Sequence, residues 1–225
     1  MLSAVMEDYL KTIYYLQKHG DDERVRTSTI ADSLDVTAPT VTSMLDTLAD
    51  RGLVERKKYR GVRLTPDGER VALEVIRHHR LLEAYLTEHL DFSWEEVHDE
   101  ADRLEHHISE NFEEKVAAAL DDPAVDPHGA PIPDADLSPP GERVGAALTE
   151  YQEGDRVVVE EVDDRDSAVL EYLSDHGIDP GTVLTIEEVA PFGMVTARPD
   201  DRDESVSLPD RIARDVRVVV VAEAE

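Results

Sequence analysis

Residues 78–107 read HHRLLEAYLTEHLDFSWEEVHDEADRLEHH, and the placing of His, Asp and Glu among the apolar residues decides how the chain is read. Apolar positions at helical spacing divide this stretch into two helices around a break at Asp91, Phe92 and Ser93. Successive residues of an α-helix turn by about 100°, so positions four apart share a face. His79 and Glu83 make one such pair. His98, Asp102 and His106 make a longer stripe, with Glu105 close beside it. Imidazole and carboxylate donors presented together chelate a divalent first-row metal. A single His-xxx-Glu pair is ordinary on a solvated helix face, but its repetition points to metal binding. His78 and His107 fall on neighbouring faces, facing solvent or supporting the ligands, and Asp99 and Glu100 read as exposed acids. Leu81, Leu82, Tyr85, Leu86, Leu104, Ile108 and Phe112 supply the apolar side, a core or a dimer interface.

Upstream, residues 1–65 have the pattern of a winged helix-turn-helix. Leu2, Val5, Met6, Tyr9, Leu10, Ile13 and Leu16 recur at helical spacing, and Thr27, Ser28 and Thr29 precede a short helix carrying Ile30, Ala31 and Leu34. After a turn at Asp35 and Val36, Thr37 is placed to cap a third helix whose first turn holds Pro39. Val41, Met44, Leu45 and Leu48 face inward, which leaves Thr40, Ser43 and Thr47 on the exposed front, small enough to approach base edges in a major groove. Gly52 ends this helix, and residues 53–64 read as two strands joined near Tyr59, Arg60 and Gly61, a wing. Residues 51–63 carry six basic side chains (Arg51, Arg56, Lys57, Lys58, Arg60, Arg63) against the single acid Glu55, a local net of +5. Such an island in an acidic chain fits phosphate contact. The expected DNA-contacting set is therefore Thr37, Pro39, Thr40 and Ser43 with Arg51, Lys57, Lys58 and Arg60.

That acidity is extreme: 52 Asp and Glu against 23 Lys and Arg, a net charge of −29 over 225 residues. Lysine is confined to Lys11, Lys18, Lys57, Lys58 and Lys115. A surface of this kind suits a cytosol of very high salt, where repulsion is screened within a few ångströms, and points to an extreme halophile of haloarchaeal type. Periodic apolar residues through most of the chain, 40% hydrophobic overall, argue against an acidic disordered protein and for two or three small domains. The absence of cysteine excludes disulfides and thiolate metal sites. No apolar run approaches the roughly 18 residues that span a bilayer, and MLSAVMEDYLKTIYYL is amphipathic and acidic, unlike a signal peptide. The expectation is a cytoplasmic protein without a membrane partner.

Downstream of a Pro-, Asp- and Gly-rich stretch at 121–141, strands are expected at 156–162, 183–189, 194–197 and 216–221, with a helix at 167–176. They read as a small β-barrel. The expected organisation is multidomain α+β: an amino-terminal winged helix-turn-helix at 1–65, a helical dimerisation and metal-binding domain at 66–122, a linker at 123–150 and a small barrel at 151–225.

MEDYLKTIYYL, APTVTSML, HHRLLEAYL, VHDEADRLEHHIS and PHGAPIP together resemble the diphtheria-toxin-repressor family of iron- and manganese-dependent transcriptional regulators, and GIDPGTVLTI resembles the SH3-like domain that ends its longer members. The resemblance implies a homodimeric, metal-activated repressor acting on palindromic operators of metal-uptake genes. It implies a regulatory site at Asp8, Asp102, Glu105 and His106, and an ancillary site at His79, Glu83 and His98 that Asp166 would complete. Iron-responsive members often carry methionine and cysteine where this chain has Asp8 and Asp102, so Mn²⁺ is the favoured cofactor with Fe²⁺ as the alternative. The small manganese-specific members carry a glutamate where this chain has Lys11, a departure that favours two separate sites over one bridged pair. The expectation is therefore a repressor rather than an enzyme, with no small organic substrate. Two other classes stay open on the residues alone: a hydrolase using the metal cluster with an open water position, and a winged-helix regulator that needs no metal.

Overall fold

The computed structural model describes residues 2–20, 23–141, 144–164 and 166–221. These form two compact units: Met1–His79 with Glu105–Ile108 and Pro133–Pro139, and Arg80–Leu104 with Ser109–Ile132 and Pro140–Glu225.

In the first unit, helix α1 (Ala4–His19) begins at Ser3, whose hydroxyl accepts from the Met6 amide. α2 (Thr27–Ser33) and α3 (Ala38–Asp50) follow, with Asp35 in the left-handed region (φ 49°) between them. Thr37 caps α3 by accepting from the Thr40 amide, and Pro39 stands in its first turn, where the missing N–H is not needed. Leu10 and Ile13 of α1, Ile30 of α2, and Val41, Leu45 and Leu48 of α3 close one core, joined by Leu73 and Ile76. Strands β1 (Val54–Lys57) and β2 (Gly61–Leu64) pair antiparallel from Val54↔Leu64 to Lys57↔Gly61, so the wing forms as its sequence implies. Gly61 is required on two counts: its φ of 92° strains any side-chain-bearing residue, and a Cβ there would lie 2.2 Å from the Val25 carbonyl oxygen.

Helix α4 (Pro66–Leu90) contributes its residues through His79 to the first unit and the remainder to the second. The second unit adds α5 (Val97–Leu104) and α6 (Glu110–Ala119), the latter capped by Ser109 accepting from Phe112 N–H. Leu81 packs with Val116, Ala117, Leu120 and Ile132. Leu82 and Leu86 are also buried, whereas Phe112 is 43% exposed. The stripe reading of 98–106 needs correction here. α5 ends at Leu104 and the chain turns at 105–107, so Glu105 and His106 leave the helix that carries His98 and Asp102.

The carboxy-terminal strands β3 (Ala146–Ala147), β4 (Arg156–Val162), β5 (Val183–Val189), β6 (Val195–Pro199), β7 (Val206–Leu208) and β8 (Val216–Val220) form one antiparallel sheet in the order β3-β8-β4-β5-β6-β7. Val157 and Val159, Leu184 and Ile186, and Val195 and Ala197 bury alternate positions against Leu170 and Leu173 of α7 (Ser167–Asp175). β3, β7 and the short α8 (Asp210–Asp215) are additions to the elements expected from sequence, and β3 lies within the stretch 123–150 expected to be a linker. Among the described residues no helix is long and apolar enough to cross a membrane.

Candidate metal centres and nucleic-acid face

In the first unit, α1 brings Asp8 to the turn that carries Glu105 and His106. His106 Nε2 lies 2.8 Å from Asp8 Oδ1 and 3.3 Å from Glu105 Oε1, and the three donors all lie within 4.8 Å of one another. Glu105 is buried; its second oxygen, Oε2, accepts from Lys11 Nζ at 2.7 Å and lies 2.6 Å from His79 Nδ1. His78, read as facing solvent or supporting a ligand, is buried with Nδ1 3.1 Å from the Glu105 carbonyl. His107 is exposed. Burial raises the Asp8 pKa and Glu105 adds to the rise, against the lowering pull of His106 and Lys11. A carboxylate held in this way gains from an added cation.

The second unit builds another cluster around Glu83 of α4, fully buried. On one side His98 Nδ1 is 3.2 Å from Glu83 Oε1 and 3.5 Å from Asp164 Oδ2, and His98 Nε2 is 3.7 Å from Asp102. On the other, Glu83, Asp126 and His128 present donors within 4.8 Å of one another. His128 Nδ1 faces Glu83 Oε2 at 3.8 Å, beyond hydrogen-bonding reach, and this buried nitrogen has no hydrogen-bond partner among the described residues. Asp126 Oδ2 likewise makes no hydrogen bond, with Arg80 Nε 3.4 Å away.

The charge balance around Glu83 is equally unusual. Burial raises Asp126 and the Glu83 charge adds to it, bringing its pKa to about 7. Burial alone would lower His128, but the Glu83, Asp164 and Asp126 carboxylates outweigh it and lift it to about 9. Asp164 resists burial because His98 holds it, assisted by the His128 charge, at about 2. Unpartnered buried donors among carboxylates that call for positive charge are what a divalent cation satisfies, and the set is oxygen and nitrogen throughout.

The loop bearing Asp126 and His128 is fixed by its backbone. Asp126 Oδ1 accepts from the N–H groups of His128 and Ala130, both at 2.9 Å, and Val162 N donates to the His128 carbonyl at 2.9 Å. Gly129 (φ 87°) lets this loop close on β4; a Cβ there would stand 1.9 Å from the Glu160 carbonyl oxygen. Arg80 donates to the Pro131 carbonyl from the α4 side. Trp94 accepts from His128 Nε2–H through its backbone carbonyl at 2.9 Å, with the two ring centroids 5.1 Å apart. In the neutral ring this leaves Nδ1 as the lone-pair nitrogen aimed at the cluster.

The expected ligands thus distribute unevenly. Asp8, Glu105 and His106 converge in the first unit, and Asp102 stands beside His98 in the second. Glu83 and His98 stand 3.2 Å apart in the second unit, and His79 Nδ1 lies 2.6 Å from Glu105 Oε2 in the first. Asp166 caps α7 by accepting from Val169 N–H and lies 3.3 Å from Arg211; the carboxylate at the Glu83 cluster is Asp164, two residues earlier. Asp126 and His128 escape the sequence reading as ligands, although His128 lies within the PHGAPIP motif.

On the nucleic-acid face, Thr37 at the cap of α3 and Pro39, Thr40 and Ser43 on it are exposed, with the Thr37 and Thr40 hydroxyls 2.8 Å apart. Thr47 is only half-exposed and its hydroxyl donates to the Ser43 carbonyl. Arg56 pairs with Asp46, and Arg63 with Glu55 and Glu23, so these two arginines are locally neutralised. Arg51, Lys57, Lys58 and Arg60 are exposed and, among the described residues, form no ion pair, which leaves the wing's positive charge on them. At the tip, Tyr59 is 94% exposed with the Lys58 ammonium 5.1 Å from its ring centroid.

Residues 1–62 match the family described as "Iron dependent repressor, N-terminal DNA binding domain", residues 65–134 match "Iron dependent repressor, metal binding and dimerisation domain", and residues 146–220 match "FeoA domain". The chain is 34% identical over 224 residues to the iron-dependent repressor IdeR of Mycobacterium tuberculosis, covering 94% of this chain and 95% of that protein. It is 33% identical over 222 residues to the diphtheria toxin repressor of Corynebacterium diphtheriae, with 94% and 95% covered. Its fold is similar to that of a manganese-dependent transcriptional repressor solved in complex with manganese, with a TM-score of 0.87 at 35% identity over 96% of this chain and all of that one.

Proposed function

This chain belongs to the iron-dependent repressor family, and from that membership we propose that it is a metal-dependent transcriptional repressor that reads palindromic operators of metal-uptake genes as a homodimer. Mn²⁺ and Fe²⁺ are both consistent with the family. The observation that carries the mechanism is the convergence of Asp8, Glu105 and His106, because Asp8 belongs to the helix that leads directly into the recognition module.

A divalent cation held by these residues supplies charge that lets carboxylates of like sign stand together. Asp8 then fixes α1 to the turn at 105–107, and α1 shares its core with α2 and α3. Without that neutralisation Asp8 and Glu105 repel, offset only in part by His106 and by Lys11 at Glu105 Oε2. The resulting two-state bias orients α3 and the wing for successive major-groove turns in a two-fold symmetric complex. Glu83, His98 and Asp164, with Asp126 and His128 opposite, form the ancillary site that stiffens the second unit. Carboxylate and imidazole donors without sulfur let the hard, weakly binding Mn²⁺ compete, so Mn²⁺ is the preferred activator.

The test is DNA selected from a random-sequence pool by the Mn²⁺-loaded protein, then used in anisotropy titrations with and without Mn²⁺. Glu105→Gln and His106→Ala should each lose metal-stimulated binding while retaining the far-UV dichroism of the parent. Undiminished metal-dependent binding by both variants rejects this assignment of the regulatory site.

A further inference from the structure

Glu7 stands next to Asp8 in sequence, yet the two carboxylates reach opposite edges of one imidazole. His106 Nδ1 lies 2.7 Å from Glu7 Oε2, and Nε2 lies 2.8 Å from Asp8 Oδ1 and 3.3 Å from Glu105 Oε1. Only 8% of the His106 side chain and 20% of that of Glu7 are exposed, so the Nδ1 contact is largely shielded from water. An ionised carboxylate is an acceptor only, so a 2.7 Å contact with Nδ1 requires the N–H on that nitrogen. Asp8 and Glu105 are acceptors too, so Nε2 meets them either through its own N–H or, when a cation takes that proton's place, by giving the cation its lone pair while Nδ1–H stays on Glu7.

We propose that Glu7 is a positioning residue for the metal centre: it holds His106 in the Nδ1–H tautomer and fixes the ring plane so that Nε2 is delivered as a ligand. The carboxylate also raises the donor strength of the imidazole by drawing on its N–H. Both acids come from the early turns of α1, so the same helix supplies a ligand through Asp8 and the orientation of a second ligand through Glu7. A shift of α1 therefore disturbs two coordination positions at once, which makes the ion more sensitive to the placement of this helix than one ligand alone would. The inference rests on the reading that Asp8, Glu105 and His106 hold the regulatory ion.

The experiment is Mn²⁺ binding to the full chain, followed by the electron paramagnetic resonance signal of free Mn²⁺, with Asp8→Ala as reference for loss of this site. Glu7→Ala should weaken one class of site by about 10–100-fold, the usual effect of removing a group that orients a ligand, and leave the other class unchanged. Glu7→Gln, whose amide oxygen still accepts the N–H without the charge, should recover part of that loss. Long-range ¹H–¹⁵N spectra of the Zn²⁺-loaded protein should show the Nδ1–H tautomer of His106 in the parent. If Asp8→Ala removes a class of site and Glu7→Ala binds with the parent's affinities, the positioning role is overturned while the metal site stands. Equal loss in Glu7→Ala and Glu7→Gln accompanied by a lowered melting temperature also overturns it, since that marks a structural role. If Asp8→Ala itself leaves Mn²⁺ binding unchanged, the underlying site assignment fails.

Discussion

At the scale of single residues, the Glu83 cluster carries its own reporter. The chain has one tryptophan, Trp94, whose ring lies 5.1 Å from that of His128 and whose carbonyl accepts from His128 Nε2–H. A paramagnetic cation bound through His128 Nδ1 is among the largest local perturbations that ring can meet. Mn²⁺ titration should therefore quench Trp94 emission; Asp126→Asn and His128→Ala should remove the quench, and Asp8→Ala should keep it. Full quenching in both Asp126→Asn and His128→Ala would place the reporting ion elsewhere. Part of this site is legible in the sequence and part is not, for a definite reason. Glu83 and His98 belong to helices whose periodicity marks their faces, so their pattern stands out. Asp126 and His128 lie on an irregular loop, where no periodicity links them to a glutamate more than forty positions earlier. Asp164 and Asp166 differ locally only in which of them caps α7, and that depends on where the helix begins.

At the scale of elements, the helix-turn-helix and wing are readable because caps, apolar spacing and turn residues agree, from Thr37 and Pro39 at α3 to Gly61 in the hairpin. The end of α5 is not, because Glu105 and His106 continue the i, i+4 stripe in sequence while the chain has already turned. β7 is only three residues long, too short for alternation to register. Arg60→Ala on the wing should weaken binding to all DNA alike and lower the salt slope of log K by about one unit, because one fewer phosphate is neutralised. A changed sequence preference with an unchanged slope would instead give Arg60 a base-reading role. Gly129→Ala forces a Cβ against the Glu160 carbonyl oxygen in a left-handed backbone conformation, a strain on the order of 1–3 kcal/mol. Calorimetry should show a melting temperature lowered by several degrees, with the Trp94 response to Mn²⁺ weakened. A melting temperature equal to the parent's would mean that the loop moves freely off β4.

At the scale of the whole molecule, a net charge of −29 works against both the compact state and approach to DNA. The ion pairs that consume Arg56 and Arg63 concentrate the positive charge of the wing on Arg51, Lys57, Lys58 and Arg60, so attraction to phosphate is local within a repelling surface. Salt therefore acts with opposite signs on folding and on DNA binding. The Debye length falls from about 10 Å at 0.1 M to about 3 Å at 1 M, which removes most repulsion between surface carboxylates. Metal acts on folding by a separate route, since an ion that binds only the folded chain adds about 2.7 kcal/mol at a hundred times its Kd. The metal-free protein should thus melt several degrees higher in 2 M KCl than in 0.1 M KCl. Mn²⁺ should raise the melting temperature at both salt concentrations, and by more at 0.1 M, where unneutralised clusters of Asp and Glu repel most strongly. Circular dichroism melts at the two salt concentrations, with EDTA or excess Mn²⁺, measure both effects. A melting temperature that does not rise with KCl in the metal-free protein rejects the view that repulsion among its acids governs its stability.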